Sequence, residues 1–487
     1  MRARAARTFR LWLVIAALLC QGSCARNPVT GGRQLALISE GQEIAIGRES
    51  HPEIGAEFGI VEDQALQSYV SGIGLEIARV SHRPDLPWTF TVLDSPVVNA
   101  FALPGGFIYL TRGILAHMNN EAEMAAVLGH EIGHVTARHS VTQISQQQLL
   151  GLGLGLGSIF SPTFRRLSSL AETGLAIMML KYSRDHERQA DQLGIQYMAQ
   201  AGYDPSQMSR FFQLFVGMNA SEGDAIPNWL SSHPAPPARL EATAAAAGKI
   251  RRENPGRRYK INADPLMAHI DGMVFGENPR EGFVEKNRFL HPDQRFQLDF
   301  PRGWAVRNTR SSVTFAAPGE KAVLQLTLVP PNEAQTPEAA GAAVARREGI
   351  RLMDGSSLRI NGKAAYMGRY RAQTDSGIIE ILAAFIAYGK NIYRLAGMAP
   401  TAAYSSYAQP FESSMRSFRE LSDPRILSVQ PDRIRIHRAQ KGQTLRSIAQ
   451  AQSHPGITLD ELALLNRLDP DQALSANAPV KLIRPGR

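Results

Sequence analysis

Cysteine is almost absent from this chain. Its 487 residues include only two, Cys20 and Cys24. Both lie in the N-terminal leader, so a processed chain keeps at most one and forms no internal disulfide. Stability therefore has to come from apolar burial, and a chain of this length has room for a large core and two or three domains. A polybasic run is also missing. The formal charge of +9 falls to about +5 without the four leader arginines, a mild surplus that does not suit a nucleic-acid partner for an exported chain. Long apolar runs are missing as well. Residues 11–19 are too short to span a bilayer, and so is the glycine-alternating stretch 149–160 with Gly151, Gly153, Gly155 and Gly157. That stretch suits a lid, a membrane-surface contact or a close-packed loop.

Residues 11–19 follow Arg2, Arg4, Arg7 and Arg10, which gives residues 1–25 the form of a signal peptide. Two cut sites compete. Ser23-Cys24-Ala25 fits a small-x-small site with Arg26 as the first mature residue. Alternatively Cys24 is the lipidated first residue of a lipoprotein, with Gln21 standing where such a site usually has Leu. The Asn27-Pro-Val-Thr-Gly31 run that follows reads as a tether. Export to the periplasm is expected either way, with outer-membrane association in the lipidated case.

What the chain does have is an H-E-x-x-H pattern at His130, Glu131, Ile132, Gly133 and His134. On a helix, positions i and i+4 share a face, so both histidines can reach one metal ion. Glu131 is turned about a quarter of the way round the axis, where it can face a metal-bound water. Imidazole suits zinc, and a catalytic site needs three protein ligands and an open position. Zinc lowers the pKa of that water, and a carboxylate accepts its proton as it attacks a carbonyl. So short a pattern also arises by chance, and its context decides. Asn119 and Asn120 can cap a helix, Glu121 and Glu123 suit its first turn, and Ala122, Met124, Ala125, Ala126, Val127 and Leu128 make it a buried one. Two histidines and a glutamate on such a helix need partners.

A third ligand has to come from elsewhere. In Tyr182-Ser-Arg-Asp-His-Glu-Arg-Gln-Ala-Asp191, Glu187 and Asp191 are i, i+4 and share a helix face. Glu187 could bind zinc while Asp191 orients a ligand histidine. A solvated helix surface made by Arg184, Asp185, Arg188 and Gln192 explains the spacing equally well, and His186 offers a nitrogen on another face. Upstream, Ser39 and Gln42 form a capping box, residues 63–80 read as a helix, and residues 88–93 as a strand. Residues 97–102 and 107–110 read as a hairpin around Pro104-Gly105-Gly106. A strand beside a zinc helix can hold an extended peptide through its backbone; an ordinary core ribbon is the plain alternative.

Together, His130-Glu-Ile-Gly-His134, the Tyr-Ser-Arg-x-x-Glu-x-x-Ala-Asp block and Asn99-Ala-Phe-Ala-Leu-Pro-Gly-Gly106 resemble metallopeptidase family forty-eight. These are zinc endopeptidases similar to HtpX and the CAAX prenyl proteases, and the likeness is to their soluble periplasmic branch over roughly residues 27–250. The resemblance implies a mainly helical gluzincin domain with a small edge-strand sheet. It implies His130, His134 and Glu187 as ligands of one Zn2+ per chain and Glu131 as general base. Asn99, Ala100, Phe101 and Ala102 would lead a substrate-binding edge strand. Gln189 departs from the family, which often has a second Glu there. Ser232-His233-Pro234 with Arg239 resembles the family's His-Pro segment and its later arginine. By resemblance, His233 stabilises an oxyanion or occupies the open zinc position in a latent state, and Arg239 stands at the substrate. Taken alone, His233 reads as a loop histidine on a proline-rich turn.

Residues 203–218 read as a helix packing Phe211, Phe212, Leu214 and Phe215, and residues 251–283 as an exposed connector. Residues 284–421 alternate between strand and helix patterns, giving an α+β domain faintly similar to PsbP/Mog-type folds, without a catalytic constellation. Residues 434–485 read as strand, helix, helix, strand and resemble a LysM module, which implies binding to N-acetylglucosamine glycans such as peptidoglycan. Gln443 replaces the usual Asp there, and residues 450–455 are stretched. Ten basic against five acidic residues from Arg425 to Arg487 suit an anionic envelope. The fold class expected is α+β throughout. The function expected is a periplasmic zinc endopeptidase acting on unfolded or misassembled envelope proteins. A latent or structural zinc protein serving as an envelope chaperone, and a peptidoglycan-directed hydrolase, are the rivals.

Overall fold

Short polar side chains decide where most helices of the N-terminal half begin. The computed structural model describes residues 24–154, 181–220, 229, 233, 237–374, 377–452 and 454–486. Residues 1–23 of the expected signal peptide and residues 155–160 of the glycine-alternating run lie outside them. Strands β1 (Cys24–Arg26) and β2 (Arg33–Leu35) pair antiparallel. The turn between them is not the loose tether that its sequence suggests. The Asn27 side chain accepts from the Val29 and Thr30 amides and donates to the Ala137 carbonyl at 3.2 Å. Helix α1 (Glu40–Phe58) opens on the Ser39–Gln42 capping box, and α2 (Gln64–Ala78) on Asp63. Buried Glu43 of α1 pairs with Arg83 and Arg138.

Strands β3 (Thr89–Leu93), β4 (Ala100–Leu103) and β5 (Phe107–Thr111) form one sheet in the order β3-β5-β4. β4 and β5 are the expected hairpin, with β3 parallel to β5, so β4 is an edge strand. After a short α3 (Arg112–Ala116), α4 (Glu121–Thr136) is capped by the Asn120 side chain and buried along its whole length. A helix buried all round has to bring partners for its polar groups. Glu121 accepts from Tyr69 at 3.0 Å and from Asn262 at 2.6 Å.

Helices α5 (His139–Leu154), α6 (Arg184–Gln200), α7 (Ser206–Ala220) and α8 (Pro237–Glu253) follow. Ser183 caps α6, which leaves Tyr182 outside it. The expected connector 251–283 is partly folded: α9 (Ala263–Ile270) buries Leu266, Met267 and Ile270 in the main core. Its flanking arginines and prolines masked an apolar face of one helical turn's period.

The chain divides into two compact units. One runs to Gly276 and resumes at Arg433–Arg484; the other is centred on Glu277–Asp432. The second unit has a four-stranded sheet of β6 (Phe283–Glu285), β7 (Arg288–His291), β8 (Phe296–Asp299) and, at one edge, β16 (Arg419–Glu420). Its seven-stranded antiparallel sheet contains β9 (Ala305–Asn308), β10 (Ser312–Ala316), β11 (Val323–Leu328), β12 (Ile350–Ile360), β13 (Lys363–Thr374), β14 (Gly377–Tyr388) and β15 (Asn391–Pro400). Helices α10 (Pro337–Ala345) and α11 (Thr401–Arg416) pack on that sheet, and α12 (Pro424–Leu427) ends the unit.

The C-terminal module is β17 (Arg433–Arg438), α13 (Leu445–Ala451), α14 (Leu459–Asn466) and β18 (Pro479–Arg484), with its two strands antiparallel. Capping boxes at Thr444 and Thr458 open both helices. The module is docked within the first unit. Lys481, with 0% of its surface exposed, donates to the Ala116 carbonyl at 2.6 Å and the Met118 carbonyl at 3.0 Å. Arg467 donates to the His117 carbonyl at 3.1 Å and pairs with Glu123 of α4. Burial, aided by the charge of Arg467, pushes the Lys481 ammonium well below its ordinary range.

Removing one partner from a buried ion pair strands the other charge. We expect Arg467→Ala to destabilise the first unit by about 3 kcal/mol, read as a lowered denaturant midpoint. Arg446→Ala, which breaks an ion pair with Asp471 out in solvent, should leave that midpoint unchanged.

Candidate metal centre

The site begins with three glycines. A Cβ at Gly194 of α6 would lie 2.8 Å from the His130 amide nitrogen, and one at Gly133 of α4 would lie 2.9 Å from the Ala190 carbonyl oxygen. Gly129 meets the Gly194 carbonyl oxygen in the same way. The backbones of α4 and α6 therefore touch, and this sets the side chains of α6 against those of the H-E-x-x-H turn. Glu187 and Asp191 face His130 and His134 as a result.

His130, His134, Glu187 and His233 each offer a ligand atom, and these atoms lie within 4.8 Å of one another. His130 Nε2 is 3.0 Å from His134 Nε2 and 3.3 Å from His233 Nδ1. Glu187 oxygens lie 3.6 Å from His130 Nε2, 3.4 Å from His134 Nε2 and 3.0 Å from His233 Nδ1. Ligands at about 2.0–2.1 Å from a tetrahedral zinc are separated by roughly 3.3 Å, so the donor set fits that ion in type and spacing. Neither carboxylate oxygen of Glu131 has a hydrogen-bond partner among the described residues, although both are buried. Its Oε1 lies 3.7 Å from His233 Nε2. A buried carboxylate left in this way fits a site built to hold a cation and a water beside it.

The electrostatics run the same way. Burial would raise Glu187, but His233 and His134 outweigh it and hold the carboxyl well below its ordinary range. Burial would lower His233, but the Glu187 and Glu131 carboxylates raise it above the ordinary 6.5. His134 is driven well below 6.5 by burial, against the opposing pull of Glu187.

Asp191 lies 2.9 Å from His130 Nδ1, on the side away from the donor cluster. Arg239, expected at the substrate, is 4% exposed and is spent within the site. It donates to both oxygens of Asp191 at 2.7 Å, reaches Glu187 at 2.7 Å and reaches the His233 carbonyl at 3.4 Å. His233 itself is buried and stacks on Trp229 at 5.2 Å, and the Trp229 amide donates to the Val98 carbonyl at 3.3 Å. Ser232 and Pro234 lie outside the described residues. His186 turns from the donors and stacks on His139.

Asn99, Ala100, Phe101 and Ala102 are all buried. Ala100 and Ala102 join the core around α4, whereas Phe101 joins a second cluster and stacks on Tyr109 at 4.9 Å. The side chains of Ala100, Phe101 and Ala102 are thus packed away, the Asn99 Oδ1 is buried without a hydrogen-bond partner among the described residues, and β4 stands at the edge of its sheet. Three residues escaped the sequence reading of the site: His139, 3.0 Å from His134 through the two Nδ1 atoms; Gln189, 2.9 Å from His139; and Tyr182, whose ring lies 4.0 Å from that of His134. Only the R-H step after the motif and the polar block around Glu187 hinted at them.

Protons compete with the metal for the ring nitrogens. Zinc binding to the metal-free protein should release protons, and because His233 is raised, affinity should keep climbing with pH above 6.5. Titration calorimetry in buffers of different ionisation enthalpy checks this, and His233→Ala should flatten the climb. Gly194→Ala should force α4 and α6 apart at a cost of about 1–3 kcal/mol and lower zinc occupancy, measured by unfolding and metal analysis.

Residues 64–247 match the family described as Peptidase family M48, and residues 437–482 match the LysM domain. A Beta-barrel assembly-enhancing protease of Escherichia coli (strain K12) is 28% identical over 233 residues, 46% of this chain and 47% of that protein. The Mitochondrial metalloendopeptidase OMA1 of Arabidopsis thaliana is 33% identical over 189 residues, 38% of this chain and 37% of that one. The chain thus spans about half the length of the first of these two relatives and less of the second. A solution structure of cyanobacterial PsbP from Synechocystis sp. PCC 6803 is 14% identical, covering 27% of this chain and 91% of that chain at a TM-score of 0.23. The two domain matches agree with the donor cluster and with the strand-helix-helix-strand module: the chain carries a domain of peptidase family M48 over residues 64–247 and a LysM domain over residues 437–482.

Proposed function

We propose that this protein is a zinc-dependent endopeptidase of the bacterial periplasm that hydrolyses peptide bonds in damaged or misassembled envelope proteins. The observation that carries the reading is the buried His130, His134, Glu187 and His233 donor set with the uncommitted carboxylate of Glu131 beside it. A purely structural zinc site has no use for such a carboxylate. Zinc held by His130, His134 and Glu187 supplies Lewis acidity and lowers the pKa of a coordinated water.

The chain's own residues do the rest. Glu131 accepts the proton of the attacking water and returns it to the leaving amine. Asp191, itself clamped by Arg239, orients His130. The backbone edge of β4 aligns an extended substrate with little demand on its sequence. With zinc bound, His233 would supply a fourth donor in the place the reacting water needs, which would keep the protein latent until the ring is displaced. Displaced, its imidazole can donate to the developing oxyanion.

The exported leader supports the periplasmic setting, with a lipid anchor at Cys24 as its finer form. Among the described residues, no helix is long and apolar enough to cross a membrane. The name of the Escherichia coli relative supports a role near β-barrel assembly, and the LysM match supports peptidoglycan contact. Because all four metal donors come from the protein, a second reading also has support: a closed zinc site in an envelope chaperone or binding factor. The LysM match likewise supports a peptidoglycan-directed hydrolase.

The test compares the parent, Glu131→Gln and His233→Ala for zinc content and for cleavage of unfolded casein. All three should bind one zinc. Glu131→Gln should lose about 10²–10⁴-fold in rate, and His233→Ala should cleave faster than the parent. A Glu131→Gln protein as active as its parent removes the proposed base. Zinc-loaded parent and His233→Ala proteins that both leave casein intact would favour the binding factor, or the glycan-directed hydrolase if they cut peptidoglycan.

A further inference from the structure

We propose that His139 and Gln189 form a polar relay that fixes His134 in the tautomer able to bind metal through Nε2. The proposal rests on the reading of His134 as a metal ligand. A ring that binds metal through Nε2 must carry its hydrogen on Nδ1. His134 Nδ1 lies 3.0 Å from His139 Nδ1, and at that distance one nitrogen has to donate and the other accept. The lone pair must therefore be on His139 Nδ1 and its hydrogen on Nε2. His139 Nε2 in turn lies 2.9 Å from the amide oxygen of Gln189, which can only accept. Each step forces the next, from the α6 surface to the metal. Run backwards, the relay would place a hydrogen on His134 Nε2, among the metal donors.

The surrounding structure holds the relay in place. Arg138 takes a left-handed conformation, φ 57°, that turns the chain sharply between α4 and α5 and sets His139 back against His134. His139 is 1% exposed, and the His186 ring stacks on it at 4.3 Å and 17°. Gln189 is carried on α6, the helix that also supplies Glu187 and Asp191. The two ligand histidines are thus oriented differently. His130 leans on the Asp191 carboxylate, whereas His134 leans on a chain of neutral groups.

The polarity gives a test that a packing role would not pass. Gln189 is partly exposed, so it tolerates replacement. Gln189→Glu keeps an acceptor, while Gln189→Lys offers only donors and drives the relay the wrong way. His139→Phe keeps the ring stack on His186 and removes the acceptor. Zinc affinity of the full chain is measured by competition with a chromophoric chelator, with thermal unfolding of the metal-free proteins as the control on folding. Gln189→Glu should bind zinc within about threefold of the parent, and Gln189→Lys and His139→Phe about 10–100-fold more weakly. Equal affinities for the Glu and Lys variants, or parental affinity in His139→Phe, would overturn the relay and leave the metal site standing. If His139→Phe does not fold, the Gln189 pair decides alone. A parent without zinc, or a His134→Ala protein that binds it undiminished, would sink the ligand assignment instead.

Discussion

The contact on which the rest of this structure depends is the crossing of α4 and α6, backbone against backbone. Glycine inside a helix costs about 1 kcal/mol relative to alanine, and Gly129, Gly133 and Gly194 lie together where the two helices touch. The return for that cost is reach. Glutamate and aspartate side chains are short, and only such an approach lets Glu187 and Asp191 engage two histidines on a neighbouring helix at hydrogen-bond distance. The crossing also fixes Gln189 near His139. Gly133, a free position in the H-E-x-x-H pattern taken as a string, is therefore not free in this fold.

The charges inside the site add a second constraint. Glu131, Glu187 and Asp191 are buried carboxylates, and Arg239 is the buried guanidinium that faces them. With the imidazoles neutral, two negative charges are left over, which is what a divalent cation balances. Without the cation, protons on the histidines have to take its place, and the raised His233 is where the structure accepts one. Metal binding, proton release and local stability are thus one equilibrium in this site. It also explains why Arg239 is drawn inwards. Placed at the substrate it would leave Asp191 and Glu187 with no compensating charge.

What was legible in the sequence follows the range of the interactions involved. Ser39, Asp63, Asn120 and Thr458 each accept from a backbone amide two or three residues on, and their helices begin where those residues stand. The i, i+4 pairs His130–His134 and Glu187–Asp191 are equally local. Contacts across the fold were not legible. Arg239 seeks Asp191 across 48 positions, and Lys481 finds its carbonyl partners across more than 360. Strand β12 was missed for another reason: Asp354, Gly355, Ser356 and Ser357 are exposed at the edge of the sheet, so no buried face imposes alternation on them.

The docking of the C-terminal module changes what its presence can do. A module on a flexible tether raises the local concentration of the enzyme near its ligand but fixes no orientation. Here Lys481 and Arg467 grip residues 116–118 and Glu123, and those residues lead directly into the helix that carries His130 and His134. The Ile434 amide and carbonyl add bonds to Met273 and Gly272 just after α9. The module is therefore a wall of the peptidase unit, and the start of α4 is held partly from a segment more than three hundred residues away. Loosening the module therefore loosens the first turn of the helix that carries His130 and His134.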